Sequence, residues 1–102
     1  MSVAIIVCKY PNNSEDLKRE RWKEEVTNAF ISSKIVKVLK HRNVFDRKEV
    51  QGRPGVNEYV YLGDIFIAKG PSIALNLIKK IWKEELPTGK FAEVFCDMMK
   101  EP

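Results

Sequence analysis

Apolar positions fall into blocks whose spacing changes along the chain. The first, "VAIIVC" at 3–8, is a short β-rich run that predicts a strand. A second β-rich run covers about 59–68. Each run leads through a turn containing Pro11 or Pro71 into a predicted helix. The first helix opens at Asn12, Asn13 or Ser14, all good caps, and carries the stripe Trp22, Val26, Ala29 and Phe30 together with Leu17. That suits a one-sided surface helix. The second helix follows Gly70-Pro71-Ser72, runs over 72–86 and stops at Pro87. Its Ile73, Ala74, Leu75, Leu77, Ile78, Ile81, Trp82 and Leu86 make it apolar over more than half its circumference. It is therefore expected to be central, or covered by another copy through self-association.

The third block decides the fold class. In "GKFAEVFCDMMK" the residues Phe91, Phe95, Met98 and Met99 recur at i, i+4, i+7 and i+8, and Ile31, Ile35, Val38 and Leu39 repeat the spacing, predicting helices over 32–41 and 90–100. The β-branched "KIVKV" at 34–38 leaves a strand as the alternative, which would give a ferredoxin-like βαββαβ order. Between the blocks, Gly52-Arg53-Pro54-Gly55 is a turn signal for a hairpin pairing 44–51 with 56–62.

The chain also matches itself. At an offset of 60, residues 3–40 align with 63–100 without a gap and nine of the 38 pairs are identical, four of them in the consecutive WKEE of 22–25 and 82–85. Unrelated segments would share about two. The predicted architecture is thus α+β: two pseudo-symmetric strand-helix-helix repeats, 3–42 and 59–100, around a small sheet in one domain, with a hairpin-like linker at 43–58.

Composition narrows the class. A length of 102 residues suits one modest core, and 44% hydrophobic against 31% charged residues excludes a disordered chain. The opening apolar run is too short for a signal peptide or a membrane span, so a cytoplasmic protein is expected. Cys8 and Cys96 align with Ala68 and Val36, which reads them as reduced thiols in the core.

Catalytic signatures are absent. His41 is the only histidine and reads as a solvated helix-end residue, with no triad, metal ligand set or cofactor motif around it. Glu24-Glu25 and Glu84-Glu85 read as solvated faces, and Lys69-Gly70-Pro71-Ser72 as a helix cap. "YLGD" at 61–64 shares the second half of the tyrosine-glycine nuclease signature but lacks its partner tripeptide. A non-enzymatic protein is expected. Its aromatics Tyr10, Trp22, Tyr59, Tyr61 and Trp82 are predicted to line the groove where the repeats meet and to hold a peptide or protein segment. The alternative partner is nucleic acid. Residues 34–53 hold Lys34, Lys37, Lys40, Arg42, Arg47, Lys48 and Arg53 against Asp46 and Glu49, a local +5 in a chain whose net charge is +4.

The opening "MSVAIIVCKYPNNSEDLKRERWKEEV", the "WKEELP" block and the length together resemble the small proteins of the filamentous viruses of Acidianus, which infect hyperthermophilic archaea. The resemblance implies a viral protein acting in the host cytoplasm, with no enzymatic activity to carry over. A surface rich in lysine and glutamate suits such heat, where ion-pair networks contribute most.

Each repeat, at about 40 residues, is near the lower limit for an unaided core. Fragments 1–45 and 56–102, expressed separately, are expected to show no cooperative thermal transition by circular dichroism. A sharp melt of either as a monomer contradicts this.

Overall fold

The computed structural model describes residues 1–11 and 14–100, with side chains in the first helix from residue 18 onward. The elements are β1 (Ser2–Lys9), α1 (Ser14–Ser32), β2 (Lys37–Glu49), β3 (Asn57–Gly70), α2 (Ser72–Trp82) and α3 (Lys90–Lys100). The fold is α+β, as expected. Its sheet is antiparallel in the order β1-β3-β2, so β1, α1 and β2 form a split unit with β3 inserted between its strands.

Two layers of helix cover the sheet. Ile6, Cys8, Val36 and Ala68 project to one face and pack with Ala74, Leu75, Ile78 and Trp82 of α2, with Phe30 of α1 beside them. On the opposite face Val7, Val44 and Ile65 pack with Phe91 and Met98 of α3. This explains the unbroken apolar run of β1, whose even and odd positions both meet a core. Residues 83–89 carry the chain between faces past Lys9, whose ammonium lies 3.8 Å from Glu85 and 5.7 Å from the centre of the Phe91 ring.

The offset of 60 holds for the first two elements and fails for the third. Ile6 pairs with Phe66, its own equivalent, and the β1–β3 register runs symmetrically outward from that pair, from Ser2↔Gly70 to Lys9↔Gly63. Helices follow both strands. Residues 90–100 are the expected helix, but 37–49 are a strand, so the helix expected over 32–41 is corrected. Lys34 turns left-handed at φ 63° and ends the chain's first helical segment, after which Val36 donates back to the Phe30 carbonyl at 3.2 Å. Beyond it the β-branched Ile35, Val36 and Val38 favour extension, and twelve register pairs with β3, from Lys37↔Lys69 to Glu49↔Asn57, outweigh the helical spacing. The terminal fourth strand of the ferredoxin-like alternative is likewise replaced by α3.

The hairpin expected over 43–58 forms, from the later part of β2, the turn and the start of β3. Smaller expectations change. Helix α2 stops at Trp82, not at Pro87, because Lys83 adopts φ 49° and its N–H closes onto the Lys79 and Lys80 carbonyls. It buries Ala74, Leu75, Ile78 and Trp82 but leaves Ile73 exposed. Cys8 is buried as expected, whereas Cys96 is exposed. Among the described side chains of α1 the buried one is Thr27, and Trp22 of the expected apolar stripe is 52% exposed. The proposed caps at Asn12 and Asn13, with the side chains of Ser14 and Leu17, lie outside the described residues.

Beyond Lys9↔Gly63 the sheet narrows to a two-stranded arm, in which Val44 faces Gly63 but the next residue, Phe45, faces Tyr61. Leu62 is the extra residue of a β-bulge. Gly63 makes the bulge feasible at φ 144°, where a Cβ would lie 1.9 Å from the Cys8 carbonyl oxygen. Gly63→Ala is expected to destabilise the protein by about 3 kcal/mol or more in urea denaturation, because backbone must shift as well as strain be absorbed. Gly52→Ala, at φ 78° with open space around it, should cost only about 1 kcal/mol. Equal costs would contradict the assignment.

Candidate functional site

The bulge decides what lines the α1–α2 face of the sheet. Asp64 points to that face with Phe66 and Ala68, and strict alternation would have sent Tyr61 to the other. With Leu62 bulged into the opposite core, Tyr61 turns back beside Asp64 and donates its phenolic hydrogen to Asp64 Oδ2. Across the sheet, His41 of β2 lies opposite Phe66 and stacks on it at 4.4 Å with the planes 9° apart. Its Nε2 is 2.7 Å from Asp64 Oδ1. Each oxygen of the 7%-exposed Asp64 therefore has a partner, as burial of a carboxylate demands.

Tyr10 follows β1 and extends its ladder by donating N–H to the Leu62 carbonyl at 2.8 Å. Its ring lies between two others, stacked on Tyr61 at 5.3 Å and edge-on to Trp82 at 5.1 Å, and Phe45 continues the series at 5.2 Å from Tyr61. Trp82, the last residue of α2, donates Nε1–H to Thr27 Oγ1 at 2.9 Å, and that hydroxyl donates onward to the Lys23 carbonyl at 2.8 Å. The bond ties α1 to α2 and explains why a threonine is buried in α1.

These groups surround a cleft of about 310 Å³ between α1, α2 and the sheet, completed by Cys8, Glu24, Asn28 and Asn43. Burial pushes the Tyr61 phenol far up, and its hydrogen bond to Asp64 and the charges of Asp64 and Glu24 push the same way. Burial likewise raises Tyr10, reinforced by Glu24 and Asp64. Cys8 is raised by burial first and by Asp64 next, which leaves it an inert thiol. The cleft thus offers protonated phenols, a buried carboxylate and aromatic faces. Among the described residues no group of three or more His, Cys, Asp or Glu is placed to hold a metal ion, and no helix is long and apolar enough to cross a membrane.

Of the five predicted aromatics, the structure brings Tyr10, Tyr61 and Trp82 together. Tyr59 stands 68% exposed on the arm, and Trp22 is exposed on α1 outside the cleft lining. The seven predicted cations do not share one face. Lys40 donates to the Met98 carbonyl on the α3 side and Arg42 follows it by strand alternation, whereas Arg47 lies opposite Tyr59 and Lys48 opposite Glu58. Lys37 lies opposite Lys69, Lys34 sits between α1 and β2, and Arg53 is in the turn. His41 is the main correction: it is a partly exposed strand residue bonded to Asp64, not a helix end. A single carboxylate within the apolar "LGDIFIA" was the signal for it, since a charge folded into such a strand requires a partner. Comparison of the chain with protein-family models, curated proteins and solved structures found no match.

Free phenols ionise near pH 10, about where the unfolded chain would lose these protons, while folded Tyr10 and Tyr61 keep theirs to higher pH. Their contribution to stability is therefore complete below about pH 10 and is lost as pH rises through the folded values. Urea midpoints should fall between about pH 8 and pH 11. Tyr61→Phe should reduce that fall, and at pH 8 should cost roughly 1 kcal/mol for the lost hydrogen bond. An unchanged pH slope in the variant contradicts the coupling.

Proposed function

We propose that the protein is a non-enzymatic binding module that takes part of a peptide or protein segment into the cleft between α1, α2 and the sheet. The observation that carries this reading is the convergence of Tyr10, Tyr61 and Trp82 on the Asp64–His41 pair. Aromatic side chains already held by packing lose little entropy on binding and supply much of the energy of small interfaces. At about 310 Å³ the cleft is at the lower end of ligand-site volumes, which suits one anchoring side chain with the rest of the segment lying outside. On the resemblance to archaeal viral proteins, the partner would be met in the host cytoplasm.

Nucleic acid is the weaker reading. The arm residues 45–59 carry Arg47, Lys48 and Arg53 against Asp46, Glu49 and Glu58, three charges of each sign, so the arm offers phosphates no surplus. Of the other four, Lys40 and Arg42 project to the α3 side, away from the aromatic cleft, Lys37 lies opposite Lys69 at the start of β2, and Lys34 precedes that strand.

Affinity capture with the tagged protein tests the proposal. Tyr61→Ala should remain folded by circular dichroism yet lose the wild-type partner by at least about tenfold, as expected for an interface anchor. Tyr59→Ala should retain it. Retention by both variants, or loss through Tyr59 alone, contradicts the assignment of the cleft.

A further inference from the structure

Cleft chemistry runs against the chain as a whole. The protein carries 18 Lys and Arg against 14 Asp and Glu, yet the cleft lining contains Asp64 and Glu24 and neither Lys nor Arg. Four aromatic rings, those of Tyr10, Tyr61, Phe66 and Trp82, stand around these two carboxylates. Lys23 lies outside the lining, 5.8 Å from the centre of the Trp82 ring, and is paired with Glu20. Lys18 and Arg21 line an adjoining hollow with Tyr10 and Glu24, and within the lining His41 is bonded to Asp64.

Resting on the binding reading above, we propose that the anchor taken into the cleft is the guanidinium of an arginine in the partner segment. Ring faces attract a cation through their quadrupole, most strongly where water is excluded. A planar guanidinium also stacks on rings while its five N–H groups point outward in the plane, which an ammonium cannot do. Acceptors are available at the edges of the cleft: the Glu24 carboxylate and the amide oxygens of Asn28 and Asn43. Asp64 supplies fixed negative charge from the floor while His41 and Tyr61 hold its oxygens in place. An acidic or phosphorylated anchor would meet like charge here.

The two tryptophans provide an internal control, because Trp82 lines the cleft and Trp22 is exposed outside it. The probes are two capped pentapeptides, Gly-Gly-Arg-Gly-Gly and its citrulline counterpart, which keeps the shape and removes the charge. Both are titrated into the ¹⁵N-labelled full chain to about 10 mM, the range in which a single side chain binds detectably. The arginine peptide is expected to shift the Trp82 indole signal and leave that of Trp22, with citrulline at least about tenfold weaker. Glu24→Gln, an exposed change that spares the fold, should weaken arginine binding several-fold and leave citrulline unaffected. Equal shifts of Trp82 with both peptides overturn the guanidinium while leaving the cleft as a binding site. No shift of Trp82 with either overturns the proposal outright, and partner capture by wild type but not Tyr61→Ala would still uphold the broader reading.

Discussion

The approach of Gly63 to the Cys8 carbonyl is the constraint on which the site depends. No side chain fits there, and the φ of 144° admits the bulge that sends Leu62 into one core and Tyr61 toward the other. Without that shift of parity, Tyr61 would lie among Val44 and Ile65 with its hydroxyl far from Asp64. The carboxylate would lose a donor, and Tyr10 would lose the ring it stacks upon. One backbone contact thus links the sheet's register to the chemistry of the cleft.

Energetically the molecule separates its tasks between the faces. The α3 face is a plain apolar contact, led by Ile65, Phe91 and Met98. The α1–α2 face is apolar toward Ile6, Leu75 and Ile78 but becomes polar toward the arm, where Asp64, His41, Thr27 and the phenols satisfy one another. Buried polar groups of this kind tolerate few alternative arrangements, since each displaced partner leaves an unpaired atom. The apolar face supplies stability and the polar one fixes geometry.

Much of this was legible in the residues, because period and turn chemistry act locally. The β-branched run at 3–8, the GRPG turn and the i, i+4, i+7, i+8 series of 91–99 each became the expected element. The segment 34–41 did not, because its helical spacing competed with a demand the sequence does not display locally: β3 needed a partner along its second edge. The self-match at offset 60 made Trp22 and Trp82 look alike. The structure buries one and exposes the other, since α1 turns Thr27 rather than its tryptophan toward α2. The aromatic part of the cleft was accessible through Tyr10, Tyr61 and Trp82. Its polar centre was not, because His41 and Asp64 are 23 residues apart and meet only through the β2–β3 register.

The central position of β3 has a consequence for how the chain assembles as it leaves the ribosome. Every rung of β1 is made with residues 63–70, so this strand has no sheet to join until β3 has been added. The β2–β3 hairpin closes through a short local turn and carries the smaller entropic cost, which places it early, while β1 must close a loop of about sixty residues and docks late. Docking of the amino-terminal strand is also the event that brings Tyr10 onto Tyr61. The cleft is therefore completed late in folding, and a nascent chain short of Trp82 is without it.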